Sequence, residues 1–194
     1  MRVLIRFPII HGNEDMGKLD KAVSKTRTVE DSLKHQAVVK YFWTTIENAI
    51  NGFGLDFSKV KIYQDSLPIC GKESAIVDDT ANTGSPNYLL LQALRNKGAT
   101  IMGTESPELL LEEYSLMKRI YQPNPSQAPP SQEFAQSLLD QRDEFIAHRI
   151  DKTLFDGEMG LLFLGLNHRI EGRLPTDITL IQPLGELKLK PKGN

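Results

Sequence analysis

From Leu161 to Leu166 the chain carries no polar side chain, and Gly157 and Gly160 set the run off from the helical pattern before it. A short run with no solvent-facing side reads as a strand buried on both faces. Such strands belong to parallel sheets, because parallel neighbours require long crossovers, usually helical, that cover the sheet. One segment therefore already points away from all-helical and antiparallel folds.

The rest of the chain alternates in the way this demands. Val3 to Ile10 reads as a first strand with Pro8 at an edge or bulge, and His11 to Asp15 is its polar exit. From Glu30 to Asn51, Leu33, Ala37, Val38, Phe42, Ile46, Ala49 and Ile50 recur at helical spacing until Gly52 and Gly54. Val60 to Tyr63 is a second strand, followed by helices over Gly71 to Thr83 and Pro86 to Lys97, with Gly98 as a stop. Ala99 to Gly103 is a third strand. The helix after it has Pro107 at its first position and Leu110, Tyr114, Met117 and Tyr121 on one face. Phe134 to Leu154 is a second long helix, and Asp177 to Gln182 a last strand. The predicted fold is α/β, a mainly parallel sheet of about five strands with helices on both faces. One domain spans residues 1–185, with a proline-rich loop over 122–131 and a basic tail over 186–194.

Composition narrows the function classes. The 23 Lys and Arg against 25 Asp and Glu leave a net charge of −2, which argues against nucleic acid as a partner. Cys70 is the only cysteine, so neither a disulfide nor a cysteine metal cluster exists within the chain, and a reducing compartment is implied. No apolar stretch approaches the roughly 20 residues of a bilayer span, and polar residues begin too early for a signal peptide. The expectation is a cytoplasmic protein without a membrane partner.

In parallel sheets the ligand site lies beyond the carboxyl ends of the strands. That edge gathers His11 after the first strand, Asp65 after the second, Glu105 after the third, and Asn167 and His168 after the fourth. Two imidazoles and a carboxylate suit a divalent ion such as zinc, manganese or iron, which accepts neutral nitrogen and anionic oxygen. His11, Glu105 and His168 are the candidate metal ligands, Asn167 a further cofactor contact. The plainer alternative for each residue is loop or helix capping.

Arg142 stands out differently. Steps of three and four from it reach Leu138, Leu139, Phe145 and Ile146, so it sits in the apolar stripe of its helix. A core-facing arginine requires an anion, from a substrate or transition state, or from a structural carboxylate. Arg149 extends the stripe and reads as structural. His35 and His148 read as surface residues, Cys70 as a buried spectator, and Glu108, Glu112 and Glu113 as a solvated helix face.

Gly98 to Ser106, with Glu105 closing an apolar strand, Arg142-Asp143, and Gly165-Leu166-Asn167-His168 together resemble the TraB/PrgY family and its relatives. Those relatives are the Tiki metalloproteases, the ChaN-like haem-iron proteins and the erythromycin-esterase-like hydrolases. The family's first Gly-x-x-His falls on Pro8 to His11, where proline replaces glycine, while Asp65 and Asp143 stand where the family has glutamate and asparagine. The resemblance is strongest over residues 98–175.

The resemblance implies a metal-dependent hydrolase of a peptide or ester bond, with a homodimer as the assembly. In that reading the metal lowers the pKa of a bound water, Asp65 or Glu14 is the general base, and Arg142 stabilises the developing oxyanion. The competing expectations are a non-catalytic binding module for a small anionic ligand or haem, and a Rossmann-like nucleotide sensor without metal.

Overall fold

The computed structural model describes residues 1–9, 29–121 and 129–185, with the side chains of 29–33 excepted. His11, Glu14, residues 122–128 of the proline-rich loop and the tail 186–194 lie outside the described residues.

Five strands, β1 (Arg2–Ile9), β2 (Val60–Gln64), β3 (Thr100–Met102), β4 (Met159–Gly165) and β5 (Ile178–Ile181), form one sheet in the order β3-β2-β4-β1-β5. Every pairing is parallel. The five described α-helices are α1 (Val29–Gly52), α2 (Glu73–Ala81), α3 (Pro86–Asn96), α4 (Pro107–Tyr121) and α5 (Gln132–Thr153). The expected α/β class and covered parallel sheet are therefore present, and the Leu161-centred strand lies at the middle of the sheet with Leu161 to Leu164 fully buried.

Strand direction and connection hand explain the layering. From β1 the chain steps through β2 to β3 toward one edge, and from β3 it returns through β4 to β5. Right-handed crossovers running in opposite directions must lie on opposite faces. Accordingly Ile5, Phe7, Ile62, Leu161 and Phe163 pack with Val39, Trp43, Ile46, Leu91 and Leu94 from α1 and α3. On the other face Leu4, Tyr63, Leu162 and Leu164 pack with Ile146 and Ile150 of α5.

Three expectations change in detail. The buried stripe of α1 is Val39, Trp43, Ile46 and Ile50, while Ala37 and Val38 face solvent. On α4, Tyr114 and Tyr121 are exposed and Leu116 is the buried residue, so the helix is rotated from the tyrosine face. Cys70 is exposed rather than buried. Pro8 is compatible with an inner strand because pairing of β1 with β5 stops at Ile5↔Ile181, leaving Pro8 opposite Leu164 of β4 alone.

Candidate functional site

Three strand exits and one helix build a charged cluster beyond the sheet edge. Asp65 follows β2, Glu105 follows β3, His168 follows β4, and Arg142 and Asp143 come from the middle of α5. All five are at least nine-tenths buried. Burial of this many ionisable groups is costly unless they satisfy one another.

Arg142 is the hub. Its Nε donates to Glu105 Oε2 at 2.6 Å and its Nη2 to Glu105 Oε1 at 2.8 Å, the two-pronged geometry that suits a guanidinium. Nη2 also reaches Asp65 Oδ1 at 3.0 Å, and Nη1 donates to Glu113 of α4. The expectation of a core-facing arginine is met, and its anions are carboxylates of the protein.

Asp65 and Glu105 are in turn fixed by backbone. Gly165 N donates to Asp65 Oδ2 at 2.9 Å, and Ser66 N donates to Glu105 Oε1 at 2.7 Å. Ser66 itself has φ +62°, a left-handed conformation rare for a residue with a Cβ. Its hydroxyl donates to Asp65 Oδ1 at 3.1 Å.

His168 is oriented from the other side. Its Nδ1 lies 2.6 Å from Asp143 Oδ1, and Asp143 Oδ2 accepts from Arg169 N at 2.7 Å, so one carboxylate holds both ring and loop. The ring's Nε2 stands 3.6 Å from Asp65 Oδ2, beyond hydrogen-bond range. Arg6 of β1 supports the loop from below, donating to the His168 carbonyl at 2.9 Å and pairing with Glu171.

Environment tunes two of these groups. Burial pushes the Glu105 carboxyl up to about 7, against the Arg142 hydrogen bonds that favour its charged form, and the nearby Asp65 charge adds to the rise. For His168, burial opposes the charged ring, but the Asp143 hydrogen bond and the Asp65 charge outweigh it and raise the pKa above 6.5.

The sequence-derived candidates thus divide. Asp65, Glu105, Arg142 and His168 come together. Asn167 is exposed on the β4 exit loop. His11 and Glu14 lie outside the described residues. Among the described residues no group of three or more His, Cys, Asp or Glu side chains is arranged to hold a metal ion. Glu105, expected as a ligand, instead has both oxygens on Arg142. Arg149 is structural, donating to Gly103 O at 2.9 Å.

Sequence reasoning missed Glu113, Arg6 and Ser66. Glu113 was recoverable, because steps of three and four from it reach Leu109, Leu110, Leu116 and Met117, the same signature that singled out Arg142. The left-handed turn at Ser66 has no counterpart in Gln64-Asp65-Ser66-Leu67 that a reader of the sequence would flag.

No protein-family model, curated protein or solved structure matches this chain. The site must be interpreted from its own chemistry.

Proposed function

We propose that the strand-end cluster is the active site of a metal-dependent hydrolase acting on an ester or peptide bond. The observation that carries this reading is the line Asp143, His168, Asp65: one imidazole nitrogen is committed to a carboxylate at 2.6 Å, and the other faces a second carboxylate across 3.6 Å. A histidine held by a carboxylate through one nitrogen is the arrangement that orients an imidazole toward a metal. A gap of this width is close to the separation of two donors each about 2 Å from one ion. The donor set, imidazole nitrogen with carboxylate oxygen, fits a borderline ion.

His168 and Asp65 would hold the metal, and His11 keeps its expected role as a further ligand. When bound, the ion supplies a water of lowered pKa and polarises the carbonyl. Asp143 fixes the ring and its tautomer. Arg142 keeps Asp65 aimed at the gap and neutralises part of the carboxylate charge. Glu105, with both oxygens on Arg142, holds the guanidinium in place instead of serving as a ligand. Arg142 meets a developing oxyanion only if one of its carboxylates moves aside, which disfavours the anion-binding module as a resting state.

The test is the metal content of purified protein beside His168→Ala, Asp65→Ala and His11→Ala, with hydrolysis of a panel of esters and short peptides. Loss of metal and turnover in His168→Ala and Asp65→Ala is expected. Metal retained in both variants overturns the reading.

A further inference from the structure

Helix α4 presents an apolar stripe to solvent. Leu110, Tyr114, Met117 and Tyr121 recur in steps of four and three, so they share one face, with Leu111 along its edge. The helix packs on α5 and buries Leu116 instead, which lies roughly 160° around the helix from Tyr114. Leu110 and Met117 are half-buried, whereas Leu111 is 67% exposed, Tyr114 43% and Tyr121 42%. Single exposed apolar residues are ordinary on a protein surface. Five along about 17 Å of one helix form a continuous ridge, and such a ridge marks a contact surface.

Charge selects the occupant. Glu108 and Glu112 lie toward the start of α4, Lys118 and Arg119 in its last turn. A second copy of α4 laid antiparallel sets the acidic half of each helix beside the basic half of the other, whereas a parallel copy sets like charge on like. An antiparallel pair is related by a two-fold axis perpendicular to both helices, so the contact is self-complementary and closes at two copies. A lipid surface suits the stripe less well, since helices that lie on membranes carry mainly Lys and Arg on the polar face.

Placing Tyr114 against its own copy fixes the rest of the register. Leu111 then faces Met117 of the second copy, and Lys118 comes level with Leu110, two residues from Glu108. Lys118 and Glu108 are exposed and flank the stripe on the same side, at about 40° and 120° from Tyr114. The two-fold axis brings like flanks together, so this pair forms twice.

We infer that α4 is a dimer interface, formed by Leu110, Leu111, Tyr114, Met117 and Tyr121 against the same residues of a second copy, antiparallel, with reciprocal Lys118–Glu108 pairs. Exposure and charge carry the inference, independently of the hydrolase reading. Because α4 also holds Glu113 on Arg142, the strand-end cluster lies directly behind this interface. One helix pair is a small interface, and a dissociation constant on the order of 10 µM is expected.

Sedimentation equilibrium of the full chain over a concentration series tests it. Wild type should pass from one chain to two as concentration rises. Leu111→Asp should raise the dissociation constant by at least about tenfold. Val38→Asp, at a residue 56% exposed on α1, should leave it unchanged. Lys118→Glu sets acid against acid at both ends and should weaken the dimer by roughly threefold or more, and adding Glu108→Lys should return most of that loss. Circular dichroism checks that each variant keeps its helices, and if Leu111→Asp does not, Tyr114→Glu carries the same comparison. A wild type that stays a single chain throughout overturns the inference, and so does a single chain that sediments with vesicles of anionic lipid, which assigns the face to a membrane. A dimer that Leu111→Asp leaves intact, that Val38→Asp weakens equally, or whose charge reversal the double substitution does not rescue also overturns it.

Discussion

Gly165 binds the carboxylate of Asp65 and also makes room for it. The Gly165 N–H donates to Asp65 Oδ2 at 2.9 Å, and a Cβ built at residue 165 would lie 2.8 Å from that oxygen. The requirement is one of space, since Gly165 is not among the glycines with positive φ. The end of the central strand is thereby matched to the exit of its neighbour.

Gly165→Ala should therefore displace Asp65 and cost about 1–3 kcal/mol, the range for forcing atoms into a packed site. Gly172 has nothing within 4 Å of an added Cβ, and its φ is not positive, so Gly172→Ala is the matched control and should leave stability within about 0.5 kcal/mol. Urea denaturation of both variants checks the contrast. Equal stability would mean that Asp65 does not sit against residue 165.

Asp143 should set the titration of His168. The carboxylate hydrogen-bonded to Nδ1 at 2.6 Å favours the protonated ring. Asp143→Asn removes that charge while keeping the shape, so the His168 midpoint should fall. Imidazole nitrogen NMR across a pH series follows it. An unchanged His168 midpoint would show that Asp143 does not govern the ring.

Fold and site were legible to different depths. The apolar strand at Leu161, the helical spacing of the α5 residues and the stops at Gly98 and Gly157 are local signals, and they carried the architecture. Arg142 was legible for the same reason, because a charge in an apolar stripe must be answered by an opposite one. Its partners were harder. Glu113, Asp65 and Glu105 are separated from Arg142 by 29, 77 and 37 residues and meet it only through packing of α4 on α5 and the order of the strands. Helix rotation was misjudged on α1 and α4, where aromatic and small residues on the solvent side blurred the period.

Arg142→Met should be among the most damaging single substitutions. It leaves Asp65 and Glu105 buried without their cation, and removing one partner of a buried ion pair costs roughly 3–5 kcal/mol. Arg142→Lys keeps the charge but not the fork that engages both oxygens of Glu105, so an intermediate loss is expected. Chemical denaturation orders the three proteins. A lysine variant as stable as wild type would show that only the charge matters.

Stability should decline as pH rises through neutrality. Between about 4.5 and 7 the folded protein retains a proton on Glu105 that the unfolded chain has released, so unfolding is favoured with increasing pH. The raised His168 value has the same sign: its contribution is full below 6.5 and disappears as pH passes the folded value. The stability difference between wild type and Glu105→Gln should therefore fall between pH 4.5 and 7.5, by no more than about 3 kcal/mol. Denaturation curves at several pH values measure it, and a difference that does not change with pH would refute the buried-proton account.

Ser66 supplies the clearest conflict between stability and geometry. A residue with a Cβ at φ +62° bears a conformational cost of about 1–2 kcal/mol that glycine avoids. The turn persists because Ser66 N donates to Glu105 at 2.7 Å while the hydroxyl donates to Asp65 at 3.1 Å, tying two exits of the sheet together. Ser66→Gly relieves the strain but adds freedom to the unfolded chain and removes the hydroxyl, so the terms nearly cancel and stability should stay within about 1 kcal/mol of wild type. Ser66→Ala keeps the strain and loses the hydrogen bond, and should be less stable than wild type. If the hydroxyl also tunes Asp65, the two variants should share a shift in the His168 titration despite their different stabilities. Thermal unfolding and imidazole NMR together separate these effects. A glycine variant less stable than the alanine variant would show that the left-handed turn is not a source of strain.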